Sequence, residues 1–401
     1  MGPVSLIAAR NGVAVVFGLN GLAVASWFAR VPAAKDALDL TAGQLGLLML
    51  TLSAGAVLAL PTAGMVAHRL GAARTVAIGA LAASAGLVLA GVAASALGSI
   101  PVVGVGLFAI GFGAGSCEVA MNVEAAAVER RLGRTIMPRF HAAWSLGTVA
   151  GAGLGAAAAR LEVPIGAHLA VMAVIVGGGT LVAVRSFLPG ERAAAEGGPK
   201  GGGLLAAWRE PRTVLIGLLV LVMAFTEGTA NDWLAVAFVD GHGVSEAAGA
   251  ASFAVFVAAM TVGRTVGTVA LDRWGRPRVL WATMALAAAG AAVTVYANSV
   301  PLALAGVALW GVGACLGFPV GMSAAADDES RASARVSVVA VIGYTAFLAG
   351  PPLVGLLGDR VGVLRALLVV PLLIVPALAL VPALRPPRTP VPTREPSLVR
   401  D

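Results

Sequence analysis

Charge is scarce in this sequence of 401 residues: Asp, Glu, Lys and Arg together make up 12%, about half the share usual in soluble domains. Only two lysines, Lys35 and Lys200, are present, and no G-x-x-x-x-G-K-[ST] loop exists, so P-loop ATP hydrolysis is not supported. The two cysteines, Cys117 and Cys315, both fall in apolar segments and imply no disulfide framework. The four histidines are scattered and form no H-E-x-x-H, so neither a metal nor any other cofactor is expected. Ser145 stands four residues from His141 with no oxyanion framework, which is no basis for a hydrolase, and the chain is not read as an enzyme. The formal net charge of +7 is spread over short segments without interleaved aromatics, which argues against a nucleic-acid partner.

Apolar residues are what the chain has: 59% hydrophobic residues and a mean hydropathy of +0.92. They come in blocks rather than periodic stripes, and a membrane-spanning helix needs about 20 mostly apolar residues. Twelve such blocks fit: 10–31, 41–67, 75–94, 102–123, 141–159 and 165–184, then 213–239, 247–271, 279–297, 300–322, 336–358 and 363–384. The first run follows Arg10 and lacks a small-residue cleavage site, so it reads as a retained helix rather than a signal peptide. The expectation is an all-α integral membrane protein of twelve transmembrane helices in two pseudo-symmetric six-helix bundles, residues 1–184 and 213–384. Between them residues 185–212 form a cytoplasmic linker, flexible around its glycine-rich stretch 197–203, and residues 385–401 form a Pro-rich, basic, disordered cytoplasmic tail.

Orientation follows from the distribution of Lys and Arg over short loops. With the N-terminus inside, 21 of the 27 basic residues fall in inner segments, five in outer loops, and one, Arg264, within a span. Both termini and the linker are therefore expected to be cytoplasmic, in the inner membrane. The halves also repeat. His68-Arg69-Leu70-Gly71 followed by Arg74 returns as Asp272-Arg273-Trp274-Gly275 followed by Arg278, each after the second span of its half. Gly104, Gly111 and Gly115 of the fourth span align with Gly306, Gly313 and Gly317 of the tenth.

The loop pattern G-x-x-x-[DE]-R-x-G is a signature of the major facilitator superfamily, and the segment from Gly64 to Gly71 is similar to it, with His68 where an acid is usual. The second copy carries the acid, Asp272, with Thr268 in place of the glycine. A narrower likeness is to the fucose-permease-like branch of sugar–proton symporters. It rests on Pro32-x-x-Lys35 with Leu40 after the first span and on Glu118-Val119-Ala120-Met121-Asn122 in the fourth. The resemblance implies two six-helix halves rocking about a midplane site, a proton-coupled role for Glu118, a sugar-like solute and a monomer sufficient for transport. The branch tends to carry an acid in the first span, where this chain has Gly18-Leu19-Asn20-Gly21.

An ionisable side chain at the centre of a spanning helix costs about 2.5–3.5 kcal/mol on insertion scales and faces the bundle interior by default. Glu118 and Glu227 are the candidate proton carriers, because low-dielectric surroundings disfavour the charged form of a carboxyl group. The alternative for each is a structural pairing with a neighbouring helix. Asn20, Asn122, His141, Trp144, Asn231 and Tyr344 are the candidate substrate contacts; Asn20 equally suits a helix–helix hydrogen bond, and His141 a watery cytoplasmic mouth. His141, Trp144, Ser145 and Thr148 share one helical face, and Tyr344 holds the matching place about 200 positions later. Arg69, Arg74, Asp272, Arg273 and Arg278 are expected to latch the cytoplasmic seam of an outward-open state, with Glu124, Glu129, Asp327, Asp328 and Glu329 as nearby acids. Arg264 is read as structural, snorkelling to the cytoplasm or pairing with an acid. The functional expectation is secondary transport of a small polar solute by proton symport, with proton-driven efflux of an amphipathic compound or a non-transporting membrane sensor as alternatives.

Overall fold

A computed structural model describes residues 5–133, 136–188, 201–327 and 331–385. The helices are α1 (Leu6–Phe28), α2 (Val31–Ala37), α3 (Ala42–Leu70), α4 (Ala72–Val92), α5 (Ile100–Leu132), α6 (Met137–Arg160), α7 (Ile165–Ala183), α8 (Gly201–Trp208), α9 (Pro211–His242), α10 (Glu246–Trp274), α11 (Arg276–Tyr296), α12 (Val300–Ala314), α13 (Gly317–Ala325), α14 (Ala332–Val361), α15 (Val363–Ala366) and α16 (Val369–Ala377). They build twelve spans long and apolar enough to cross a membrane, six in each bundle, and no strand occurs among the described residues.

Helix starts follow local chemistry. Thr41 and Gln44 close a capping box at α3, Ser5 and Ser245 cap α1 and α10, and proline stands in the first turn of α5, α6, α9, α11 and α12. The two repeated loops end alike: Gly71 has φ 84° and ψ 160°, Gly275 φ 76° and ψ 159°. That backbone region is open essentially only to glycine, so the repeat is one of geometry as well as of letters.

The glycine alignment of the fourth and tenth spans needs correction. Gly106 packs against Gly86 and Ala90 as Gly306 packs against Gly290 and Thr294, and Gly113 sits on Gly79 and Ala83 as Gly313 sits on Thr283 and Ala287. The equivalent positions are therefore 200 residues apart rather than 202. A slip of two residues turns a helix by about 200°, which would bring the wrong face to the neighbouring span. The corrected register makes Phe318 the counterpart of Glu118 and Pro319 that of Val119.

Three spans depart from single rods. The first turns at its end into α2, and the twelfth divides into α15, α16 and a 3-10 turn, Leu378–Leu384. The tenth divides at Cys315 and Leu316, because Pro319 offers no N–H to the Cys315 carbonyl four residues earlier. Val119, at the equivalent place in the first half, has that N–H, and α5 runs unbroken for 33 residues.

The linker is also more ordered than its glycines imply: residues 201–208, including three of them, form α8, whose Ala207 packs into an apolar cluster with Ala334, Val338 and Ile342 of α14. Nearby, Glu210 accepts from Arg335 and Arg331, and these guanidinium groups, Arg335 foremost, hold its carboxyl below the usual value. Residues 189–200 of the linker and the tail from 386 lie outside the described residues.

The two bundles meet at the face remote from the chain termini, the distal face. There Lys35 Nζ lies 3.1 Å from Asp240 Oδ2, Asp359 Oδ1 accepts from Gly43 N–H at 3.0 Å and Asp359 Oδ2 from Thr41 Oγ1 at 3.3 Å. Phe28 meets Phe253 edge-on with ring centres 6.0 Å apart. The α3–α14 seam is tightest where Gly46 lies against the Pro351 carbonyl and Gly355 against that of Ala42. One continuous apolar core joins the distal parts of the first bundle to the second bundle, whereas the proximal part of the first bundle, around Phe17, Ala120, Met121 and Phe140, forms a core of its own. The molecule is closed distally, and its halves part towards the face that carries the termini.

Candidate functional site

Glu118 lies two residues past the midpoint of α5. The helix continues to Leu132, beyond the apolar run. The lipid-facing stripe of α5 is marked by Val105 and Phe108, 61% and 37% exposed. At 3.6 residues per turn Glu118 is roughly 110° around the helix from that stripe, on the side of Ala114, whose carbonyl receives Asn20 of α1. The carboxyl group thus faces the interior between the bundles, where its side chain is solvent-exposed. Among the described residues no cation pairs with it. Its electrostatic neighbour across the divide is Tyr344, whose ring lies between Phe318 and Phe347, with centres 6.0 and 6.1 Å away.

The other glutamate is in a different condition. Glu227, near the middle of α9, takes both carboxylate oxygens to Arg264 Nη2, at 3.2 and 3.1 Å. Arg264 Nε also donates to the Cys315 carbonyl at 3.2 Å, the very group that Pro319 leaves without a helical partner. One guanidinium therefore neutralises a mid-span acid and closes the break between α12 and α13. Of the two readings open for Arg264, the acid pair is the one the structure takes; it does not snorkel. Its charge also reaches His141 of the first bundle, so it belongs to the interior site. The sequence signal was present, since Arg264 lies about two turns inside its span, but the cost argument applied to the glutamates was not extended to it.

The remaining candidates divide. Asn20 is buried and donates through Nδ2 to Ala114 O at 3.3 Å, the helix–helix bond foreseen as an alternative. Asn122 donates to the Glu118 carbonyl at 2.8 Å, which turns its amide back along α5. His141 is exposed and meets the edge of Phe17 with ring centres 5.3 Å apart. Trp144 and Tyr344 are half-buried, as is Asn231, one turn beyond Glu227. Ser145 and Thr148, which share the His141–Trp144 face, are buried, and Thr148 lies against Gly21 of α1. That stripe is therefore helix packing at its distal end and open only at His141 and Trp144.

Among the described residues no ion pair engages Arg69, Arg74, Asp272, Arg273 or Arg278. Glu124 accepts from Leu188 N–H, Glu129 accepts from Ile136 and Met137 N–H, and Asp327 holds Arg212 and Arg276 of its own half; Asp328 and Glu329 lie outside the described residues. Arg273 stacks over Trp274 at 5.7 Å. Arg278 lines a cleft on the outside of the second bundle with Trp281, Pro382 and Arg385, away from the seam, so the structure does not place it with Arg69, Arg74, Asp272 and Arg273. The acid that binds the neighbouring arginine is Asp327, and its partners are Arg212 and Arg276, which sequence spacing alone did not single out.

A twelve-span molecule with a bipartite interior, two glycine-closed signature loops and a mid-span carboxyl group is matched by known proteins over nearly its whole length. A model of the Major Facilitator Superfamily matches residues 217–400. The uncharacterised transporter y4wD of Sinorhizobium fredii is 33% identical over 88% of this chain and 92% of its own. The chain belongs to the major facilitator superfamily. Among solved structures, this transporter is similar to the nucleoside transporter NupG, with a TM-score of 0.75 at 14% identity over 94% of this chain and 98% of that one. It is also similar to the E. coli fucose:proton symporter FucP, with a TM-score of 0.63 at 17% identity over 95% and 99%. The likeness to the fucose-permease-like proteins read from the sequence is thus met by a shared fold.

Proposed function

We propose that this major facilitator transporter is a proton-coupled symporter of a small polar, sugar-like solute, with Glu118 as the proton carrier. The observation that carries the reading is the state of Glu118: a mid-span carboxyl group that faces the interior, without a cation. Such a group gains and loses a proton at small cost as the cavity opens to one side or the other. The solute binds between Glu118, Asn122, His141 and Trp144 on one side and Asn231 and Tyr344 on the other. Glu227, paired with Arg264, presents a fixed polar surface to the solute. Names of structural neighbours fit the solute class: one is a nucleoside transporter and one a fucose:proton symporter.

The arginine bias puts the termini in the cytoplasm, so the distal closure makes this the inward-open state. Transport then rocks the bundles until Arg69, Arg74, Asp272 and Arg273 meet across the cytoplasmic seam while Lys35, Asp240 and Asp359 separate. Proteoliposomes test the reading: with sugars and nucleosides offered as solutes, symport makes the external medium more alkaline as solute enters. External acidification on solute entry, or binding with no counterflow at all, would instead favour efflux or a sensor.

A further inference from the structure

The corner of the second bundle where α11 begins and the last span ends carries four arginines, Arg212, Arg276, Arg278 and Arg385, and one acid that binds any of them. Asp327 takes two: Oδ2 lies 2.7 Å from Arg212 Nη2, and Oδ1 lies 2.6 Å from Arg276 Nη1. Arg212 also holds the end of the last span in place, donating to the carbonyls of Ala383 and Arg385 at 3.0 and 3.1 Å. The other two guanidinium groups have no acid among the described residues. Both line a cleft of about 530 Å³ whose remaining walls, among the described residues, are Pro277, Trp281, Ala282 and Pro382, none of them acidic.

The position of this cleft decides what fits it. It lies at the ends of two spans, on the outer surface of the bundle, and the exposed indole of Trp281, 51% accessible, forms part of its wall. Trp274, one loop away, is 54% exposed and stacked by Arg273. Tryptophan and arginine at one level on a membrane protein mark the depth of the lipid headgroups. Two cations without an acid among the described residues at that level, on a last span that also exposes Leu372 and Val375 at 72% and 62%, complement an anionic headgroup with its acyl chains. We infer that the cleft formed by Arg278, Trp281, Pro382 and Arg385 binds the phosphate of an anionic phospholipid of the inner leaflet. Bound there, the lipid ties the start of α11 to the end of the last span. This site lies outside the solute pathway and does not depend on the proton-coupling reading.

Native mass spectrometry of the detergent-purified full chain tests it, with dioleoylphosphatidylglycerol, dioleoylphosphatidylcholine and sodium phosphate as separate probes. Phosphatidylglycerol is expected to bind with one saturable high-affinity stoichiometry that phosphatidylcholine and free phosphate do not reproduce. Arg278→Gln with Arg385→Gln should weaken that binding about 30-fold, about five-fold for each guanidinium. The doubly Lys-substituted chain should keep most of it, and Arg209→Gln, an exposed arginine outside the cleft, should keep it all. Unfolding of the double Gln variant is detected separately by gel filtration, and in that event Arg385→Gln alone carries the test. Equal phosphatidylglycerol affinity in wild type and variant, or equal affinity for phosphatidylcholine, would overturn the proposal. Sodium phosphate that competes at equal concentration would make it a free-anion site and overturn the lipid assignment.

Discussion

Glu227 of the second bundle and Glu118 of the first are held in opposite ways. In the second, Glu227 arrives with its own cation, and Arg264 is fixed further by the carbonyl that Pro319 strands at the break between α12 and α13. In the first, α5 is continuous, no carbonyl is stranded, and Glu118 faces the interior without a counter-ion among the described residues. The counterpart of Glu118 in the second bundle is Phe318, an aromatic packed on Tyr344. The register of the repeat has been kept, while the chemistry and the continuity of the helix at this point differ between the halves. The proposal that Glu118 carries the proton rests on this difference in pairing.

Five substitutions sharpen or break that comparison. With one proton per neutral solute, each unit of pH gradient supports about ten-fold accumulation. Glu118→Gln should bring that ratio down to about one while retaining part of the solute exchange, as measured by uptake into proteoliposomes with and without a gradient. Glu227→Gln should lower uptake without abolishing its response to the gradient; equal loss in both variants would erase the distinction between the halves. Next in size, Arg264→Gln leaves Glu227 without its cation and the Cys315 carbonyl without its donor. Breaking a buried pair costs about 3–5 kcal/mol; the 31% exposure of the Arg264 side chain reduces this to about 2–3 kcal/mol. Thermal unfolding in detergent should fall accordingly and recover in part when Glu227→Gln is added. Gly46→Ala puts a methyl group against the Pro351 carbonyl at the tightest point of the distal seam. Overpacking of about 1–3 kcal/mol there should shift the population towards the outward-open state, read as greater labelling of single cysteines placed near residue 46. Smallest is Lys35→Ala, which removes an ion pair with side chains 17% and 31% exposed and should change the same labelling ratio by less than about five-fold, within 1 kcal/mol.

Much of the architecture was legible because lipid leaves helices few alternatives. Twelve apolar blocks, the cytoplasmic bias of arginine and the paired signature loops led directly to two six-span bundles. The departures had local causes that hydropathy averages away. Pro319 breaks the tenth span by removing a single N–H, and Pro371, Pro376 and Pro382 lie where the twelfth divides or tightens. The glycine-rich alignment slipped by two residues because closely spaced glycines match in several registers, and only their packing partners settle which is right. At the site, mid-span charge singled out Glu118 and Glu227. It could not say that Arg264, 37 residues later in the chain, would neutralise one of them, since pairing between helices depends on rotation and depth. Asn20 and Asn122 illustrate the same limit: both are polar and mid-span, yet both spend their amide hydrogens on backbone carbonyls.

The proton–solute stoichiometry of the wild-type chain and of Glu118→Gln, taken from simultaneous pH-electrode and radiolabel traces on one proteoliposome preparation, tests the central claim most directly. The account predicts about one proton entering with each solute molecule in the wild type and none in the variant, while the variant still exchanges labelled for unlabelled solute. A variant that carries protons with solute as the wild type does would show that the coupling group is not Glu118.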